Sequence, residues 1–380
     1  MAVLGLVLGK LGTARHTASE LDTLVNGKLG NLTFFAEIYE SETDPAALAP
    51  KFVVSSSALT ENVRELAELP REIMLETDFS DTGKIKDVLQ QRRIGMEQGF
   101  AAAGHAAAMA RVASYYLPAG IVREQVGGVD FYRFLKDLLA HYDERADDLA
   151  GRLAELAGRL FVDDGCTVSF TGADDDFERF WRAGAVTGRT GSSERPLAVP
   201  APAVRNEAFI VPCDVSYSAK GAPTLDVVEH SGLWSVIANA LSFDYLWNEV
   251  RVKGGAYRGG FPGGAQRHRA LLFVSRPASG RDAGAVQRHA RMACRVRPAP
   301  EEMDGYVVST VAGFDAPLKE RMQIRRQDGD FLSGRTPEAR AQSASGDDRG
   351  HAREASRACR RHRRGAWQGS RLRVRQQGHP

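Results

Sequence analysis

Long apolar runs are missing from this 380-residue chain. Every apolar stretch falls short of the ~18 residues that a membrane-spanning helix needs. The apolar start, Met1 to Leu8, has no basic residues before it and is brief, so it reads as a helix and not as a targeting signal. Cysteine is scarce and scattered: Cys166, Cys213, Cys294 and Cys359 form no CxxC pair and show no metal-ligand spacing. That pattern excludes a disulfide framework and fits a reducing, cytoplasmic setting, bacterial in type. No GxSxG nucleophile elbow occurs, and no Lys-Ser/Thr follows the glycine-rich stretch Gly254-Gly255, Gly259-Gly260 as a phosphate loop requires. A zinc peptidase needs two His one helical turn apart with a Glu base. The nearest approach, His141-Tyr142-Asp143-Glu144-Arg145, puts Arg where the second His should stand, and Arg stays protonated and cannot bind zinc. That segment reads as solvated helix-end polarity, so no metal is assigned to this chain.

Lysine is absent from two stretches that are crowded with arginine. Residues 258–298 hold nine Arg and one Asp, a net +8, and residues 341–380 hold ten Arg and three acids, a net +7. Against an overall +2, the rest of the chain carries −13. Arg islands suggest nucleic-acid binding. A working basic surface usually mixes Lys with Arg on a folded scaffold, so that function is not favoured. Scattered Gly, Ala, Pro and His among the Arg look more like GC-rich coding sequence read out of frame. Residues 341–380 have almost no large apolar residues and are expected to be a disordered Arg-rich tail.

The remaining sequence has globular composition and predicts an α+β protein in two parts. Residues 1–175 predict helices at Met1–Leu11 and Thr17–Val25, with Thr17 as cap, then strands at Leu32–Tyr39 and from Phe52. Helices follow over Thr60–Glu76 (with a kink at Pro70), from Asp81 to about Tyr116, over about Asp130–His141 and over Asp143–Phe161. In the last of these, Leu149, Leu153, Leu156 and Leu160 step by four, three and four, which lays one apolar stripe along a helix. Cys166–Thr171 alternates as a closing strand would. Residues 184–203, rich in Gly, Ser, Pro and Arg, read as a linker. In the second part, 204–340, alternation at Phe209, Val211, Cys213, Val215 and Tyr217 predicts a strand, with Pro212 placing it at an edge or bulge. Ser231–Val250 reads as a helix ended by Gly254-Gly255. The strands and helix that should follow are not recognisable in 258–298, and order returns over Glu301–Leu318.

The segment Tyr245–Tyr257 places Arg251 on the last turn of that helix and Tyr257 just past the glycine pair. Arg offers a rigid fork of donors to a peptide carbonyl or carboxylate, and a Tyr phenol can donate to a developing oxyanion. Spacing alone allows an equally plain reading, in which Arg251 complements the helix dipole and Tyr257 is a half-buried strand residue.

This segment resembles the Arg-Tyr motif of the pitrilysin/insulinase family of zinc metallopeptidases, in its presequence protease branch. Leu8–Thr13, Lys51–Val54, Leu75–Phe79, Ser114–Gly120, Phe131–Lys136, Asn206–Phe209 and Phe314–Leu318 resemble that branch too. The resemblance implies two pitrilysin-type α/β domains, each an antiparallel sheet packed with helices. They would be the third and fourth of four, the second of the pair incomplete. It also implies a C-terminal substrate-chamber half of an endopeptidase that degrades short unstructured peptides. The zinc and its HxxEH ligands would lie in an N-terminal half, so this chain would bind no metal and be inactive alone. Arg251 and Tyr257 would bind substrate and support the transition state, with Gly254 and Gly255 beside them. A non-catalytic subunit that pairs with a separate zinc-bearing half is the alternative. Arg258 stands where the family motif continues with Gly.

Overall fold

The computed structural model describes the chain except residues 45, 192–196, 224–232, 241, 244–246, 249–251, 253–257, 261–268, 278–298, 315, 340–370 and 377–380. Two compact units emerge. The first comprises residues 1–39, 49–96 and 125–198, and the second residues 40–48, 97–124 and 199–380. The expected division at 175 therefore needs correction: 40–48 and 97–124, both inside the expected first part, fold with the second unit.

In the first unit, α1 (Ala2–Val7) buries Leu4 and Val7. The helix α2 (Ala18–Lys28) starts at Thr17 with a capping box: Thr17 Oγ1 accepts from the Glu20 N–H, and the Thr17 N–H donates to Glu20 Oε2 at 2.9 Å. Strands β1 (Leu29–Glu40) and β2 (Leu48–Ala58) pair in a two-stranded sheet. A short 3-10 turn at Thr60–Asn62 leads into α3 (Val63–Glu76), which runs through Pro70. The unit continues with α4 (Thr82–Ala102, its last turn in the second unit), α7 (Val129–Ala140) and α8 (Tyr142–Leu160). Ile73, Ile85, Leu89 and Leu135 are fully buried, and Leu153 anchors the expected stripe of α8.

Cys166–Thr171 forms no strand. Its alternation serves another purpose. Phe170 packs on Phe177 and Phe180 of α9 (Asp174–Arg182), a helix that the periodicity did not indicate. Nor is all of 184–203 a loose linker. The Asp163 carboxylate accepts from the Thr187 hydroxyl at 2.6 Å and from the N–H groups of Thr187 and Gly188 at 2.9 and 2.8 Å. The Arg71 guanidinium donates to the carbonyls of Val186 and Thr187. Side chains thus satisfy the backbone that a composition-based reading leaves free.

In the second unit, the expected helix from Asp81 to Tyr116 is broken at Ala103, giving α5 (Gly104–Ala113), and α6 (Pro118–Gly127) follows. The expected single strand over 209–217 is two: β3 (Glu207–Val211), ending before Pro212, and β4 (Val215–Pro223). They are not neighbours. The five-stranded sheet runs β3-β7-β4-β6-β5, where β5 is Arg258–Gly260, β6 is Arg269–Pro277 and β7 is Arg371–Gln376. Strand β6 pairs antiparallel with β4 along its whole length, from Val215↔Pro277 to Pro223↔Arg269. Strand β7 runs parallel to β3 and antiparallel to β4.

Both Arg-rich islands thus contribute strands. This corrects the expectation of no recognisable strand in 258–298 and of a wholly disordered tail. Alternation at Leu372 and Val374, and the apolar run Leu271–Val274, suffice for pairing once a neighbouring strand offers its ladder. Helix α10 (Leu233–Ala240) faces α11 (Pro300–Phe314), with Asn239 Nδ2 donating to Ser309 Oγ and Thr310 Oγ1. The last helix is α12 (Glu320–Ser333), closed by Gly334 at φ 67°.

Candidate functional site

Arg251, Gly254, Gly255 and Tyr257 lie outside the described residues. The chain on either side is described: α10 ends at Ala240, and β5 begins at Arg258, immediately after Tyr257. There β5 is the outermost strand of the sheet, with Arg258 opposite Ser275 and Gly260 opposite Phe273 of β6. The segment expected to meet a peptide therefore opens directly onto a sheet edge.

Behind that sheet, Ala108, Val112 and Tyr115 of α5 and the turn after it pack against Ala219 of β4, joined by Phe209. The contact is close. A Cβ on Gly104 would run into the Tyr217 ring, so only glycine fits there. The Tyr217 hydroxyl donates to the Ala101 carbonyl at 2.9 Å, satisfying one of the orphan acceptors at the end of α4.

The chemically densest cluster of the unit is buried in the same region. Arg111 of α5 is 2% exposed and Glu124 of α6 is 1% exposed. The guanidinium grips Glu207 of β3 with two parallel bonds, Nε to Oε2 at 2.6 Å and Nη2 to Oε1 at 3.0 Å. Its Nη1 reaches Glu124 at 3.1 Å. The Tyr115 hydroxyl donates to Glu207 Oε2 at 2.5 Å. Burial pushes the Tyr115 phenol well above its usual range, and the hydrogen bond to Glu207 and that residue's charge push it further. A bidentate Arg–carboxylate fork is the strong form of an ion pair, and each charge here has its partner. The cluster fixes α5, α6 and β3 to one another. With every group paired and shut away from solvent, it is not arranged to attack or protonate a substrate.

Sequence reasoning missed this cluster. One signal was present: Arg111 interrupts the small-residue helix Ala106-Ala107-Ala108-Met109-Ala110, where a buried cation needs a distant acid. The structure also joins two of the family-like motifs, since Tyr115 lies in Ser114–Gly120 and Glu207 in Asn206–Phe209.

His141 and Arg145 both lean on Asp137. The His141 Nδ1 lies 3.1 Å from its carbonyl oxygen, and Arg145 Nη1 lies 2.7 Å from its carboxylate. That is helix-end polarity, as the sequence suggested. Among the described residues, no group of His, Cys, Asp and Glu is arranged to hold a metal ion, and no helix is long and apolar enough to cross a membrane. Cys166 and Cys213 are free thiols.

Comparison with known proteins extends this picture. Residues 1–138 match the family model of the region associated with M16 peptidases of subfamily C. The chain is 26% identical over 318 residues to the protein HypA of Clostridium perfringens, covering 82% of this chain and 32% of that protein. It is 28% identical over 262 residues to presequence protease 1, chloroplastic/mitochondrial, of Arabidopsis thaliana, covering 66% of this chain and 24% of that one. The chain thus spans a third or less of the length of these relatives. Among solved structures, a conserved protein from Enterococcus faecalis V583 superposes with a TM-score of 0.62 at 11% identity, covering all of this chain and 89% of that one. A peptidase M16 inactive domain from Pseudomonas fluorescens superposes with a TM-score of 0.57 at 10% identity, covering 99% and 87%. Helices and a mainly antiparallel sheet of this kind are the fold of those structures.

Proposed function

We propose that this counterpart of the C-terminal half of a pitrilysin-family (M16) peptidase forms the substrate-side wall of a zinc endopeptidase chamber for short unstructured peptides. The observation that carries the reading is similarity to presequence proteases over two thirds of the chain, together with the match of residues 1–138 to the peptidase-associated family model. In this reading Arg251 holds a peptide carbonyl or carboxylate with its donor fork, and Tyr257 donates its phenol proton toward the oxygen of the carbonyl under attack. Gly254 and Gly255 let the backbone pass close to the peptide. The described residues do not fit a zinc ion, so the metal and the base that activates water are assigned to a separate N-terminal half, and no step is routed through them here. A cytoplasmic location belongs to the same proposal.

The test is direct. The purified chain with Zn²⁺ and a quenched unstructured peptide should show no EDTA-sensitive cleavage. Adding a zinc-bearing N-terminal half of a presequence-protease-like enzyme should create it. Cleavage by the chain alone, or no cleavage with any such half, would count against the reading. A second reading, a non-catalytic subunit paired with a separate zinc-bearing protein, is favoured by the likeness to the M16 inactive domain from Pseudomonas fluorescens. It predicts a stable complex between two separately encoded chains.

A further inference from the structure

The outer surface of the first unit carries an aromatic ladder. Phe170 packs on Phe177 and Phe180 with ring centroids 5.5 and 5.1 Å apart, and Phe177 packs on Trp181 at 5.9 Å. Two of these rings stay wet: Phe177 is 42% exposed and Trp181 49%. Exposed Leu59 lies at the same place, since Arg179 of α9 donates to the carbonyl of the next residue, Thr60, at 3.0 Å. Stacked aromatics left in water on one helix mark an interaction surface, and Trp in particular is enriched among interface anchors.

The charges of α9 say what fits. Its first turn carries Asp174, Asp175 and Asp176, and its last turn carries Arg179 and Arg182. Asp176 is held by Arg179, but exposed Asp174 and Asp175 have no ion-pair partner among the described residues. Arg182 bridges Glu178 one turn back, and both are largely exposed. Such an exposed pair contributes little and exchanges readily. Helical spacing puts Asp174, Phe177 and Trp181 along one stripe. Turned end for end by a two-fold axis, this stripe complements itself: acid meets Arg at both ends, and Phe177 meets Trp181 in the middle. A partner of single charge would leave one end of α9 facing its own sign.

We infer that α9 is the contact face of a weak homodimer. A second copy of this chain docks antiparallel, with Phe177 and Trp181 packed on their counterparts and Asp174 and Asp175 facing Arg182 of the other copy. A nine-residue helix offers far less than the roughly 800 Å² per partner of a standard interface. The association is therefore concentration-dependent and sensitive to salt.

Sedimentation equilibrium of the full chain across a wide concentration range tests this. Wild type is expected to dimerise. Trp181→Glu should weaken the dimer at least ~10-fold. Asp174→Arg/Asp175→Arg and Arg182→Asp should each weaken it alone and recover it when mixed as a heterodimer. All these positions are exposed, and far-UV circular dichroism checks that each variant folds. If one does not, Phe177→Glu replaces Trp181→Glu. A chain monomeric at every concentration, a dimer indifferent to these changes, or charge-reversed variants that fail to recover on mixing would each overturn the inference. So would a monomer that uses Trp181 to bind an unstructured peptide instead.

Discussion

Arg111 and Glu207 meet across 96 residues of sequence through two nearly parallel hydrogen bonds, at a point where the guanidinium is almost wholly removed from water. Replacing Arg111 by Met should leave the Glu124 and Glu207 carboxylates facing each other without a cation. Breaking a buried pair in this way costs about 3–5 kcal/mol. Urea unfolding should show a lower midpoint at unchanged slope. Adding Glu124→Gln and Glu207→Gln to Arg111→Met should recover much of the loss, because the penalty comes from stranded charge. A triple variant as unstable as the single one would mean that the arginine stem, and not its charge, holds the cluster.

Gly104 and Tyr217 form a second test. The ring sits where a Cβ would go and is tied to the Ala101 carbonyl, so it cannot swing away freely. Gly104→Ala should destabilise by ~1–3 kcal/mol as overpacking does. In a Tyr217→Ala background the same change should cost little. Thermal unfolding of the four proteins closes the double-mutant cycle, and additive effects would show that the two do not interact.

The Asp163 carboxyl is held below its ordinary value of 3.8, first by the Thr187 hydroxyl, then by the backbone N–H groups of Thr187 and Gly188, with Arg71 adding to them and burial opposing. A depressed carboxylate stabilises the fold above its unfolded pKa, and that contribution is lost as pH falls through the lower, folded value. The hold on residues 186–191 should therefore persist near pH 5 and weaken below about pH 4. Amide exchange at Thr187 and Gly188 should accelerate over that acid range in the wild type. In Asp163→Asn it should be faster at neutral pH, by about 1–2 kcal/mol of protection, and nearly flat with pH.

For the proposed chamber, Arg251→Ala and Tyr257→Phe are the decisive changes. With a zinc-bearing half supplied, each should lower kcat/KM on a quenched peptide, Tyr257→Phe by ~10²–10³-fold if the phenol donates to the oxyanion. Circular dichroism should not change. A loss in KM alone for Tyr257→Phe would make it a binding residue only.

Much of the helical framework was legible. The Thr17 capping box and the Leu149–Leu160 stripe are local signals, written within a few turns. What was not legible depends on distant partners. Alternation at 166–171 is the same whether a strand or an aromatic helix lies opposite, and here Phe170 meets α9. The Gly104 break is invisible until Tyr217 is known to press on it. Arg371, Arg373 and Arg375 looked like a solvated tail because charge outweighs Leu372 and Val374 in composition, whereas a ladder depends on position. The Arg251–Tyr257 motif was legible only as a resemblance, since its spacing fits a helix end equally well.

The place of β7 between β3 and β4 has a consequence for the order in which the second unit forms. Strands β3 and β4 are synthesised early and lie close in sequence, yet they cannot join their ladders to one another. Each must wait for a strand that follows all of the intervening chain. Sheet closure is therefore the slow, long-range event of folding, since distant pairings fold more slowly than local ones. Until it happens, the facing edges of β3 and β4 are open to any other extended chain that reaches them first.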